Sequence, residues 1–281
     1  MKNKTDTQEE SIKKKPGKEL TVAQAEPSIT SVRQPVFSDT VAYTLTPNRL
    51  YSIVKNLKVG DARDYLTLAE ELEIRDTHYR SVLSTRKSQV ANLSCHIIPA
   101  SDEEKDTKIA ETVENYILKA DWFKGMKKDL LDALGKGYAV CEIIWGYKNG
   151  LWVPSDVVYR DPRYFKYDMD TMSTLMLDEA GQEVPLIPNK FVVHEPKLKS
   201  GLQLLNGLAL VCAYYHLVKS LDIAGWAALA EVYGYPLRIG RYGRNASEKD
   251  KQVLKKAIAN LGKDVGAVIP ESMKVEIING M

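Results

Sequence analysis

The sequence is short of the residues from which most active sites are built. It has three cysteines, Cys95, Cys141 and Cys212, spread over 281 residues. An odd and scattered set excludes a disulfide framework, and without a C-x-x-C pair there is no zinc-site pattern. All three read as small buried residues of a protein from a reducing compartment. Its four histidines, His78, His96, His194 and His216, form neither an H-E-x-x-H pattern nor a close pair. There is no excess of charge of one sign. Lysine and arginine total 39 against 37 aspartates and glutamates, a formal net charge of +2. No global field therefore draws the chain to nucleic acid or to a membrane, and any DNA contact must be a local patch. G-x-x-x-x-G-K-[ST], G-x-G-x-x-G and G-x-S-x-G are all missing, so neither a phosphate-cradling loop nor a nucleophile elbow is expected. No apolar stretch follows the charged N-terminus, so no signal-peptide pattern is read there. The most apolar run, Gly207 to Val218, is broken by His216 and followed by Lys219 and Asp222. It reads as too short for a bilayer, which takes roughly 20 apolar residues.

Hydrophobic residues make up 44 % and charged residues 27 %, the balance of a soluble folded protein. Residues 1–44 are polar and carry Pro16, Pro27 and Pro35. They hold too little apolar surface to offset ordering entropy and are expected to be a disordered tail. The Lys13-Lys14-Lys15 triplet could serve as a DNA-binding arm, but Glu9, Glu10 and Glu19 around it favour a plain solvated tail.

Helical periodicity starts near Leu50. Asp61 is placed to cap a helix carrying Tyr65, Leu68, Ala69 and Leu72, and a second helix is expected from Thr77 to Asn92. Ser94–Pro99 reads as a strand. Ser101-x-x-Glu104 has the form of a capping box, opening a helix with Ile109, Val113, Tyr116 and Ile117 on one face. Another helix is expected from Phe123 to Leu134, stopped by Gly135 and Gly137. The pattern then becomes β-like. Tyr138–Trp145, the Asn149-Gly150 pair and Leu151-Trp152-Val153 predict a hairpin closed by a type I′ turn. Short strands follow at Tyr164–Tyr167, Thr174–Leu177 and Phe191–His194.

Gly207–Tyr233 is apolar on nearly every side and would span roughly 40 Å as a helix. Such a helix belongs inside a large core or between subunits. Gly234 and Pro236 end it. Leu237–Tyr242 reads as a strand, and Ser247-x-x-Asp250 caps a helix carrying Val253, Leu254, Ala257, Ile258 and Leu261, stopped by Gly262. Val265–Ile269 and Val275–Ile278 read as closing strands. The expected class is α+β: a helical N-terminal part, an antiparallel hairpin-containing sheet, one long helix and a small αβ unit.

Chemistry is hard to find in this pattern. His194 and Glu195 are the one His–carboxylate neighbour pair, but adjacent strand residues point to opposite faces. Asp161-Pro162-Arg163 reads as a turn anchored by its Asp and Pro. No catalytic residue, cofactor or metal site is assigned. Basic residues cluster late in the chain: Arg238, Arg241 and Arg244 near a strand end, Lys255 and Lys256 on the next helix, with Lys219 earlier on the long helix. They are candidates for facing a DNA channel or a packaging motor through phosphate contacts. The plainer reading is the solvated face of an amphipathic helix.

Four ordered segments carry a resemblance. They are Asp76–Lys87 with Cys95–Ala100; Leu131–Trp145 with Trp152-Val-Pro154 and Arg160–Phe165; Asn189-Lys-Phe191 with His194 and Lys199-Ser-Gly201; and Trp226 with Glu231–Pro236, Arg238 and Gly240. In order and spacing, over roughly residues 45–280, they resemble the Mu gp29-like portal family of bacteriophages and prophages. The resemblance transfers an architecture and not an active site. It implies a wing-like α+β domain over 45–205, a stem-like helix over 206–235 and a clip-like αβ segment over 236–281. It also implies a homo-oligomeric ring, dodecameric when full length, at one capsid vertex of the virion. Assembly would take place in the host cytoplasm. Double-stranded DNA would pass through non-specifically, and the terminase large subunit, capsid or scaffold proteins and head-completion proteins would be partners. No cofactor and no membrane are implied. Family members are usually much longer, so the chain is expected to stop before a return stem helix and the remaining wing and crown. A non-channel virion or protein-binding module built on the same fold is the alternative, and an unrecognised enzyme around His194 the remaining one.

Overall fold

A computed structural model describes residues 17–34, 40–234, 237–260 and 273–278. The chain divides into two compact units, Met1–Leu217 and Val218–Met281.

The first unit begins with a short helix α1 (Lys18–Thr21), followed by α2 (Pro47–Leu57), α3 (Arg63–Arg75), α4 (Thr77–Ala91) and α5 (Glu104–Val113). A π turn over Glu114–Leu118 continues α5, and α6 (Asp121–Leu130) and α7 (Ala133–Lys136) come next. Local chemistry accounts for the helix starts. Pro47 occupies the first turn of α2, where no N–H is needed, and Thr46 accepts from the Arg49 amide at 3.2 Å. Asp76 caps α4 by accepting from the amides of His78 and Tyr79, both at 3.1 Å. In α3, Tyr65, Leu68, Ala69 and Leu72 are buried along one stripe, as their spacing predicts.

The hairpin forms as expected. β1 (Ala139–Lys148) pairs antiparallel with β2 (Leu151–Arg160) around Asn149 and Gly150, whose φ values are 49° and 81°. Asn and Gly tolerate the left-handed backbone that a type I′ turn demands. A bulge at Ile144/Trp145 shifts the register. The segments β3 (Phe165–Asp168), β4 (Ser173–Leu177), β5 (Glu183–Pro185) and β6 (Phe191–His194) complete two antiparallel sheets, ordered β2-β1-β6 and β3-β4-β5. Asp161 anchors the turn between hairpin and second sheet. It accepts from the Arg163 amide at 2.8 Å and pairs with its guanidinium at 2.6 Å. The core of this unit gathers Ile53, Leu57, Leu68, Leu72, Val140, Phe165, Met176 and Leu204 with the first residues of the long helix α8 (Leu208–Gly234).

The second unit holds the outer part of α8, β7 (Leu237–Tyr242), α9 (Glu248–Asn260) and β8 (Met273–Ile278). β7 and β8 pair antiparallel from Leu237↔Ile278 to Tyr242↔Met273. Ser247 and Asp250 cap α9 reciprocally: the Ser247 hydroxyl accepts from the Asp250 amide at 3.3 Å, and the Asp250 carboxylate accepts from the Ser247 amide at 3.0 Å.

Several expectations are corrected. Residues 17–34 and 40–44 are not a free tail: Ala25, Arg33, Val41 and Ala42 are buried. Ionic and main-chain contacts, which apolar content does not reveal, hold them. Ser94–Pro99 forms no strand, since no partner strand among the described residues satisfies its backbone. Cys95 is exposed on this segment, whereas Cys141 is buried and Cys212 half-buried. Glu103, and not Ser101, stands at the N-cap of α5. Ser101 instead accepts from the Glu103 amide at 3.2 Å, a turn ahead of the helix. The Lys13–Lys15 triplet, Leu261, Gly262 and the expected strand Val265–Ile269 lie outside the described residues.

Candidate functional site

The long helix is the most unusual surface. Ala209, Ala213 and Leu217, four residues apart, are 0, 0 and 5 % exposed, so one narrow stripe of its first turns faces the body. Leu208, Leu210, Cys212 and His216 beside the stripe are half-buried, and residues 218–231 are exposed. Val211, Tyr214, Tyr215, Val218, Leu221, Ile223 and Leu229 are exposed, and Trp226 is 74 % exposed. Sequence reading placed this helix inside a large core or between subunits; within this single chain it is mostly exposed, so the large-core alternative does not hold. The physical reason is that the apolar residues exceed what one body can cover. Patches of this extent mark an interaction surface. The helix also corrects the expectation that the run is too short for a bilayer. Over Leu208–Glu231 it is long and apolar enough by length and composition, with 17 % of its most apolar window buried.

The basic candidates are spread over α8, β7 with the segment just after it, and α9. Lys219 is exposed on α8. Arg238 lies on β7 opposite Ile277, and its side chain is outside the described residues. Arg241 is exposed on β7 opposite Lys274, and Arg244 is exposed just beyond the strand. Lys255 and Lys256 are exposed on α9. α9 packs over Gly240, where an added Cβ would come within 2.3 Å of Ile258 and 2.9 Å of Leu254. Strand alternation therefore turns Gly240 and Tyr242 toward α9 and Arg241 away from it. Lys251 and Lys255 line a hollow of about 370 Å³ together with Gly240, Tyr242, Leu254 and Ile258.

Two ionic clusters in the first unit went unread in the sequence. In the first, the buried Glu142 carboxylate accepts from Arg160 Nε at 2.7 Å, lies 3.3 Å from Lys190 Nζ, and accepts from the Gln24 and Ala25 amides. The available signal was a lone carboxylate inside the apolar strand Ala139–Ile144. In the second, Asp132 bridges Lys87 at 2.7 Å and Lys136 at 2.6 Å and accepts from the Tyr159 hydroxyl at 3.1 Å. Lys136 also reaches Glu70 at 2.5 Å, while Lys87 reaches Glu73 at 3.0 Å. Burial pushes the Asp132 carboxyl up, but the Lys136 and Lys87 ammonium groups outweigh burial and hold it below its ordinary value. These residues line a polar cleft of about 420 Å³. Asp132, Lys87, Lys136, Glu70 and Glu73 pair with one another there, the arrangement of a tie between helices and hairpin.

His194 ends β6 opposite Ala139, and burial lowers its pKa; Glu195 beside it is exposed. Among the described residues no group of three or more His, Cys, Asp or Glu side chains could hold a metal ion. Burial pushes the Cys141 thiol up to about 12, which makes it a packing residue and not a nucleophile.

The family described as "Portal protein of Mu bacteriophage" matches residues 66–281. The chain therefore belongs to the Mu bacteriophage portal protein family. Among curated proteins it is similar to the portal protein of Escherichia phage Mu, with 31 % identity over 234 residues, covering 83 % of this chain and 46 % of that protein. It is also similar to the Mu-like prophage FluMu protein gp29 of Haemophilus influenzae, with 30 % identity over 247 residues, covering 85 % and 47 % respectively. The chain thus spans about half the length of the curated relatives it matches. Among solved structures, an HK97 family phage portal protein from Corynebacterium diphtheriae aligns with 83 % of this chain and 68 % of that one. Identity is 11 % and the TM-score 0.32.

Proposed function

We propose that this chain acts as a portal subunit, a structural and translocation component and not an enzyme. It assembles into a homo-oligomeric ring, dodecameric when full length, at a capsid vertex of the virion. Double-stranded DNA passes through that ring during packaging and ejection. In this reading residues 45–205 are the wing-like part, 206–235 the stem-like helix and 236–281 the clip-like segment. The terminase large subunit docks from outside, head-completion proteins follow it, and assembly takes place in the host cytoplasm.

The observation that carries this reading, given family membership, is the bare apolar face of α8. Covering eight half-exposed large side chains would contribute on the order of 10 kcal/mol per subunit. A neighbouring subunit is an occupant that repeats around a ring and leaves no copy uncovered. A near-neutral chain also suits a channel, because dense phosphate binding would oppose sliding. The dispersed basic residues support weak, non-specific DNA contact at most. Mass photometry on the purified chain tests the reading. A closed multimer of many subunits is the expected result. A monomer across the accessible concentration range would overturn ring formation by this chain and favour a non-channel module on the same fold.

A further inference from the structure

Residues 17–34 cross the first unit like a strap, and the way they are held is unusual. The Glu142 carboxylate grips two consecutive main-chain amides, those of Gln24 and Ala25, the latter at 3.1 Å. Lys190 Nζ donates to the Leu20 carbonyl at 2.9 Å. Arg33, itself on the strap, donates back to the Gln24 carbonyl at 2.6 Å and pairs with Glu179 at 3.5 Å. The Tyr164 hydroxyl donates to the Gln34 carbonyl at 3.3 Å. The strap is therefore tied to β1 and to the turn that leads into β6 of one sheet and, through Glu179 and Tyr164, to the region of the other. Further along the chain, Glu71 on α3 makes a second grip of the same kind, accepting from the amides of Val41 and Ala42.

Apolar burial contributes little to this attachment. Ala25 is the one fully buried apolar residue of the strap; Leu20, Ala23 and Val32 are half-buried, and Val22 and Ile29 are exposed. The body core is built by α2, α3, the sheets and the start of α8, with Ala25 alone added from the strap. A segment held by a few polar contacts, with little buried apolar area, opens at a free energy well below that of the whole unit. The Glu71 grip at residues 41–42 keeps the chain tethered while residues 17–34 lift.

We propose that residues 17–34 are a clasp that opens as a unit while the body stays folded, with Glu142 as the positioning residue that closes it. Closing satisfies a carboxylate that otherwise faces Arg160 and Lys190 alone. Opening frees two amides and two carbonyls and uncouples the strap from both sheets. The first unit thereby has two states, clasped and open.

Residue-resolved hydrogen exchange on the full chain tests the clasp. The Gln24 and Ala25 amides are expected to be protected, yet to exchange at least tenfold faster than those of Leu68 and Leu72 in α3. Glu142→Gln keeps the side chain's shape and removes its charge. It should speed exchange at Gln24 and Ala25 at least tenfold further and leave Leu68 and Leu72 unchanged. Should that variant also loosen α3, Arg33→Ala decides, because it weakens the same clasp from the strap side without touching the buried carboxylate. It should speed the same two amides and spare α3. Exchange of Gln24 and Ala25 at the rate of Leu72 in the unaltered chain would overturn the proposal, as would a lack of any protection there. So would an Arg33→Ala variant with unchanged rates at those two amides.

Discussion

Trp226 offers the sharpest perturbation of the proposed assembly. It is 74 % exposed on a helix whose neighbouring positions Ile223 and Leu229 are also bare. A tryptophan carries about 200 Å² of coverable surface, so roughly 150 Å² remains to be buried by a partner. At about 25 cal/mol per Å² that is close to 4 kcal/mol per subunit. Ordering and desolvation consume part of this, which leaves an expected weakening of on the order of 100-fold per contact when the ring is lost. Trp226→Asp adds the cost of placing a charge against an apolar partner. The substitution touches no core residue, so the thermal unfolding midpoint of the isolated chain should stay put or rise slightly. Mass photometry read beside thermal unfolding separates the two effects. The reasoning fails if Trp226→Asp assembles like the unaltered chain, because the exposed face would then not be the interface. It also fails if the midpoint falls sharply when both chains are measured dissociated, below the assembly concentration, because the face would then already be packed within one subunit.

Asp132→Asn should destabilise the first unit by about 3 kcal/mol, since it leaves Lys136 and Lys87 without their shared carboxylate. The folded-state pKa of Asp132 is depressed, so its contribution is fully present above the ordinary value of 3.8 and is lost as pH falls through the lower folded value. Denaturant titrations should show that part of the acid-side slope missing in the variant. Cys95 should react with a thiol reagent in the folded chain while Cys141, buried with its pKa pushed up to about 12, stays unmodified until unfolding. Equal rates would contradict the placement of both. Leu72→Ala, at a fully buried position in α3, should cost about 3 kcal/mol in chemical denaturation, whereas Val90→Ala on the exposed face of α4 should cost under about 0.5 kcal/mol.

Much of the architecture is legible in the residues because it follows from short-range chemistry. The stripe of Tyr65, Leu68, Ala69 and Leu72, the Asn149-Gly150 turn and the Ser247–Asp250 box each act within a few positions of themselves. Each appears where its spacing puts it. The family resemblance is legible for a related reason: ordered local segments survive as a pattern even when no residue among them carries chemistry. Tertiary structure alone decided the rest. Ser94–Pro99 has strand composition, but a strand needs a neighbour, and none among the described residues reaches it. Residues 17–34 look like a solvated tail because their anchors, Glu142 and Lys190, lie more than 100 positions away. The apolar run of α8 is plain in the sequence. Whether that apolar surface is spent inside the chain or left for another molecule depends on how much body is available to cover it. Here the body buries one stripe, Ala209, Ala213 and Leu217, half-covers Leu208, Leu210 and Cys212, and leaves Val211, Tyr214, Tyr215 and residues 218–231 exposed.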